Sequence, residues 1–135
     1  MKKITLKSIS IIDYRFLFNL LKSRDLITNI SHKKMPTYDE HVRFVDSKPY
    51  SKWYVILLGN QKIGSIYLSK QDEIGIFLKH TIRGLGIGKI ALSLLIAKNP
   101  RDHYLANINP KNKKSIQFFK KQNFKLIQHT YELIS

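Results

Sequence analysis

Asp72 to Asn99, DEIGIFLKHTIRGLGIGKIALSLLIAKN, decides how the rest of the chain is read. From Asp72 to Lys79 the residues alternate. Ile74, Ile76 and Leu78 share one face, and Glu73, Gly75 and Phe77 the other, which predicts a strand. From about Ile87 to Asn99 the sequence is apolar on nearly every side, which predicts a buried helix. Between them lies Arg83-Gly84-Leu85-Gly86-Ile87-Gly88. Three glycines in five residues remove the side chains that would hold a ligand off the backbone. The first N–H groups of the helix, with its dipole behind them, can then meet an anion. Arg83 and Lys89 are cations at a helix N-terminus, an unfavourable place unless an anionic ligand completes the site.

The chain on either side supplies the remaining elements. Ile4 and Leu6 mark a short strand from Lys3 to Ser8, and Tyr14, Leu17, Phe18 and Leu21 mark a helix from Asp13 to Lys22 with Asp13 as its cap. Thr37 and Glu40 stand at capping-box spacing and open a second helix that would bury Val42, Phe44 and Val45. A polar linker, roughly Leu26 to Met35, joins the two. Trp53–Leu58 and Lys62–Ser69 read as a hairpin around Gly59-Asn60-Gln61. After the central stretch come a strand from His103 to Ile108, parallel to the central one, a helix from Asn112 to Lys121, and strands at Phe124–Ile127 and Thr130–Ile134. The expected order is β-α-α-β-β-β-α-β-α-β-β in one domain, 1–135. This is a mixed α/β (α+β) fold, a mostly antiparallel central sheet flanked by helices.

Composition excludes several classes. A hydrophobic content of 43% with 11% aromatics argues against disorder. No run of 18 apolar residues could span a membrane, and the opening MKKITLKSIS lacks the apolar core of a secretion signal. The absence of cysteine removes disulfides, thiolate nucleophiles and Cys-ligated zinc, and suits the cytoplasm. No metal-ligand spacing appears. The net charge of +15 is spread over dispersed lysines, so it does not discriminate nucleic acid from coenzyme A or phosphorylated substrates. Without a recognised motif, nucleic acid is not the expected partner.

The loop fits neither common glycine motif. A Walker A loop would need glycine where Arg83 stands and a hydroxyl where Ile90 stands, and the dinucleotide fingerprint fails because Lys89 fills its last slot. Arg83-x-x-Gly86-x-Gly88, between a strand and an apolar helix, resembles instead the acetyl-coenzyme A pyrophosphate loop of the GNAT acyltransferase superfamily. A second stretch, Asn112-Lys113-Lys114-Ser115-Ile116-Gln117-Phe118-Phe119-Lys120-Lys121-Gln122-Asn123-Phe124, resembles that family's other signature, Asn-x-x-Ala/Ser-x-x-x-Tyr-x-x-x-Gly-Phe. Asn112, Ser115 and Phe124 match. Asn123 replaces glycine, a mild change because Asn tolerates a left-handed helix end. Phe119 replaces the tyrosine that often protonates the departing thiolate, and a phenyl ring cannot.

The resemblance implies transfer of acetyl from acetyl-coenzyme A to a primary amine by direct attack. It places the backbone of Phe77, Leu78 and Lys79 along the pantetheine arm. Arg83, Gly84, Leu85, Gly86, Ile87, Gly88 and Lys89 would lie around the pyrophosphate, and Asn112, Ser115 and Phe119 near the arm. The Leu78 N–H would polarise the thioester carbonyl. Glu73 is the candidate base for the ammonium proton, its alternative being a solvated edge carboxylate. Arg24, Tyr38, His41 and Trp53 are candidate acceptor contacts. Tyr104 and Tyr131 are candidate acids, and His80 is a second base or a backbone cap.

Glu40 to Ile56 is similar to amino-sugar N-acetyltransferases, which suggests an amino sugar or nucleotide-linked amino sugar as acceptor. A ribosomal-protein or peptide N-terminal acetyltransferase, and a non-catalytic coenzyme A- or RNA-binding module of the same fold, are the alternatives. Whether the chain forms a homodimer is left open.

Overall fold

Alternating strands, one continuously apolar helix and three amphipathic helices build the fold. The structure, a computed structural model, describes residues 2–24, 35–82 and 86–135. Its elements are β1 (Ile4–Ser8), a 3-10 turn (Ile11–Asp13), α1 (Tyr14–Lys22), α2 (Tyr38–Asp46), β2 (Tyr50–Leu58), β3 (Gln61–Ser69), β4 (Ile74–Leu78), α3 (Ile87–Lys98) and α4 (Lys113–Lys121). The strands form one antiparallel sheet in the order β1-β2-β3-β4.

Register sorts the side chains between two faces. Ile66 opposes Ile76, and Leu68 opposes Ile74. With Tyr54, Ile56 and Ile63, they form one face of the sheet and pack against Ile87, Ala91, Leu92 and Leu95 of α3. Val55, Ile56, Ile63, Ile66, Leu68 and Leu95 are wholly buried. At roughly 1.5–3 kcal/mol per fully buried aliphatic side chain, this sandwich is the main source of stability. The even apolarity of α3 fits a helix enclosed by β1, β3 and β4 and by loops.

Helices α1 and α2 cover the opposite face. Thr37 and Glu40 close the capping box, the Glu40 N–H donating to Thr37 Oγ1 at 3.1 Å and the Thr37 N–H to Glu40 Oε1 at 2.8 Å. Tyr14 donates its hydroxyl to Asp46 at 2.6 Å and ties the two helices together. Asp13 stands at the cap of α1, yet its carboxylate does not cap. It is fully buried and meets Lys62 Nζ at 2.6 Å, Lys7 Nζ at 2.9 Å and the Ser10 N–H at 2.9 Å.

Three expected strands are absent. Residues 103–108 touch the sheet through one parallel bridge, Leu105 to Glu73. Residues 125–135 form no element and are exposed, including Leu126, Ile127, Tyr131, Leu133 and Ile134. Their alternation describes an amphipathic strand, but no strand of the sheet lies beside them. Val42 is half-buried and Phe44 exposed, so α2 buries His41 and Val45 instead of the expected trio. Asn123 does adopt φ +70 at the end of α4, where Phe124 N–H returns to Phe119 O at 3.0 Å.

Candidate active site

Strand β4 borders two adjoining spaces. Along its outer edge, Ile74 N–H donates to Leu105 O at 2.7 Å, and Leu105 N–H to Asp72 O at 2.9 Å. Among the described residues the pairing stops there. On the inner edge, Lys79 N–H donates to Ile63 O at 2.9 Å. Because N–H directions alternate along an antiparallel strand, those of Ile76 and Leu78 point outward, like that of Ile74. Among the described residues neither has a backbone partner, so this edge of β4 is open.

The described part of the glycine loop follows this strand in the chain and opens α3. Gly86 caps α3 at φ +69 with open space where a β-carbon would be. Gly88 lies against α4, so that a β-carbon there would meet the Phe118 ring at 3.1 Å. Ile87 anchors the turn in the core and Lys89 is exposed. Arg83, Gly84 and Leu85, expected around the pyrophosphate, lie outside the described residues. On α4, Asn112 Oδ1 accepts the Ser115 N–H at 3.2 Å and caps the helix. Phe119 is buried, edge-on to Phe118 and Phe124.

The side-chain face of β4 opens on a cavity of about 220 Å³ under α1 and α2. Phe77, Tyr67, Tyr50, Trp53, His41 and Arg24 line it. Tyr50 stacks on Tyr67 with ring centroids 3.8 Å apart. Trp53 is held by its Nε1–H, which donates to Ser65 at 2.8 Å. His41 is buried against Phe18. The Arg24 guanidinium carbon lies 3.8 Å from the Phe77 centroid. Burial pushes both tyrosine hydroxyls above their ordinary range, so they stay protonated at neutral pH. Burial also lowers Arg24, though an arginine remains charged.

Three of the four candidate acceptor contacts therefore meet in one cavity. Tyr38 does not line it. Its ring packs on Phe18, with the Arg15 guanidinium 3.7 Å away. Sequence reasoning missed Tyr50 and Tyr67, although a glycine facing an aromatic across two strands was a readable sign of a ring lying over the sheet.

Glu73 sits where β4 begins. Its carboxylate accepts from Ser69 Oγ at 3.0 Å and from the Asn107 side-chain amide, which fixes its position. Its charge is also felt at the Tyr67 hydroxyl. His80 Nε2 hydrogen-bonds the Ser23 carbonyl at the end of α1. Tyr104 donates to Asn99 O at 2.7 Å and accepts the Arg101 N–H, and Tyr131 is exposed.

Residues 16–124 match the acetyltransferase (GNAT) family. The chain belongs to this family. It is 27% identical over 74 residues to the peptidyl-lysine N-acetyltransferase YjaB of Escherichia coli K12, an overlap covering 55% of this chain and 49% of that protein. The chain thus spans about half the length of the curated relative it matches. A domain from Methanocaldococcus jannaschii superposes with a TM-score of 0.83 at 27% identity, over 98% of this chain and 94% of that one. Spermidine N-acetyltransferase from Vibrio cholerae, solved with CoA and spermine, superposes at 0.78 with 16% identity, over 93% and 83%. The four-stranded antiparallel sheet with its flanking helices is the α+β arrangement of this GNAT fold. No helix among the described residues is long and apolar enough to cross a membrane.

Proposed function

We propose that the protein is an acetyl-coenzyme A-dependent N-acetyltransferase acting on a small primary amine. One observation carries the reading. Outward amides of β4 have no backbone partner among the described residues, while side chains of the same strand line an aromatic cavity, so donor and acceptor can meet across its backbone. The open edge suits a pantetheine arm, and Gly86 leaves the open backbone that a pyrophosphate needs. Asn112, its Oδ1 engaged in the cap, would turn its side-chain amide to the arm.

Acetyl-coenzyme A supplies an activated acetyl thioester. The amine nitrogen forms the new bond to the carbonyl carbon, the carbon–sulfur bond breaks, and the amine gives up a proton. Amines of pKa about 8 to 10 are mostly protonated at neutral pH, so a base is useful. Glu73 is that base. Ile76 stands three residues from Glu73, roughly 10 Å along the strand, and Leu78 five residues, roughly 16 Å. A proton relay through water spans the shorter gap more readily, so the Ile76 N–H is the preferred donor to the carbonyl oxygen, ahead of that of Leu78. Phe119 lacks a proton to give. The thiolate, with an ordinary pKa near 8.5, takes one from water.

The acceptor fits a cavity near the small end of the ligand-site range. An amino sugar is our first choice by size, with any nucleotide left outside, and a cytoplasmic setting belongs to the same proposal. The test is thiol release from acetyl-coenzyme A with amino sugars, polyamines, amino acids and basic peptides. Turnover of one of the small amines is expected. Turnover of peptides alone, or of nothing, would overturn the reading.

A further inference from the structure

We infer that the cavity reads a negative charge on the acceptor through Arg24, with the Tyr67 hydroxyl as a second donor. The inference rests on the acetyl-transfer reading and names the class of amine: a small primary amine carrying a carboxylate or a phosphate.

Arg24 follows the last turn of α1, and its N–H donates to Leu21 O at 3.2 Å, which directs the side chain beneath the helix. There the guanidinium meets the Phe77 ring. Aromatic walls exclude water and so strengthen the attraction between this cation and an anionic group on a ligand. The Tyr50 hydroxyl donates to that of Tyr67, which leaves the Tyr67 proton for a ligand in the same cavity. A planar fork of N–H groups with a hydroxyl in the same cavity suits the oxygens of a carboxylate or phosphate.

Among the described residues the other ionisable side chains that line the cavity, besides the two tyrosines, are Glu40 and His41. Glu40 is exposed and held by the Thr37 N–H, so its charge lies at the rim. It disfavours an anion there and leaves the Arg24 end as the favourable seat. Phe77 lies beside Ile76 in the chain, so an acceptor anchored over Phe77 brings its amine to the strand that holds the donor.

The experiment uses the full chain, acetyl-coenzyme A and matched amines that differ by one anionic group. Phenylalanine against phenethylamine tests the carboxylate, and glucosamine 6-phosphate against glucosamine tests the phosphate. The anionic member of at least one pair is expected to exceed its neutral partner in kcat/KM by about tenfold or more. Arg24→Gln should erase that preference, Arg24→Lys should keep part of it, and neither should alter acetyl-coenzyme A affinity by calorimetry. Equal use of both members, no turnover of either anionic amine, or a loss in Arg24→Gln that strikes charged and neutral amines alike would overturn the inference. In the first and last of these the acetyl-transfer reading survives. Failure to bind acetyl-coenzyme A would remove both.

Discussion

The ring of Tyr67 lies over Gly75, its cross-strand partner, so near that a β-carbon at position 75 would stand 2.3 Å from it. The glycine is required by this close approach. It lets Tyr67 settle on β4 and stack on Tyr50, and that stack is one wall of the cavity. Gly75→Ala should displace the ring. Stability should fall by about 1–3 kcal/mol, the usual cost of overpacking, as read by denaturant unfolding. The acceptor KM should rise about tenfold with acetyl-coenzyme A affinity little changed, because the wall lost belongs to the acceptor side. An unaltered KM would separate this ring from the acceptor site.

Ser69 and Asn107 hold the carboxylate of Glu73, the base of the proposed reaction. Glu73→Gln keeps the size and removes the base. At neutral pH kcat/KM should drop by about 10² or more, and the deficit should narrow as pH rises past the amine pKa of about 8 to 10. A profile parallel to that of the wild type at every pH would remove Glu73 from the reaction.

Asp13 makes acid stability depend on one buried carboxylate. Burial alone would raise its pKa, but hydrogen bonds from Lys62, Lys7 and the Ser10 N–H outweigh it and hold the group at about 2. The folded value lies below that of the unfolded chain. The contribution is therefore complete above about pH 4 and is lost as pH falls through about 2. Asp13→Asn should cost on the order of 2 kcal/mol at pH 7 and flatten the acid limb of the stability curve. Equal acid slopes in variant and wild type would contradict this role.

Gly86 is the described residue most exposed to replacement in the glycine turn. Its φ of +69 strains any side chain by about 1–2 kcal/mol, and the space beyond its backbone is open. Gly86→Ala should lose about that much stability with modest loss of acetyl-coenzyme A affinity. Gly86→Glu should abolish binding in calorimetry, because it sets bulk and negative charge at the proposed pyrophosphate seat. Unchanged affinity in the glutamate variant would place the cofactor elsewhere.

Local patterns carried much of the fold. Alternation in Asp72–Lys79 assigned both faces of β4, and the apolar run after Gly86 located α3, because each pattern is completed within a few residues. The capping box at Thr37 and the helix end at Asn123 were legible for the same reason. The cavity was not. Tyr50 and Trp53 are an odd number of residues apart and would face opposite ways on a regular strand. The register shift between Tyr50 and Lys52 brings both rings to Tyr67. Arg24 joins them from the end of α1, a contact that no short window of sequence contains. The last strands failed for the converse reason: alternation in 125–135 is genuine, but pairing needs a neighbour that the pattern cannot name.

The central claim is that backbone amides of β4 and of the α3 N-terminus hold acetyl-coenzyme A. Amide chemical shifts of nitrogen-15-labelled protein, followed as acetyl-coenzyme A is added, test it most directly. The largest, saturable changes are expected at Ile76, Leu78, Gly86, Ile87, Gly88 and Lys89. Changes confined to other residues, or none at saturating cofactor, would contradict the account.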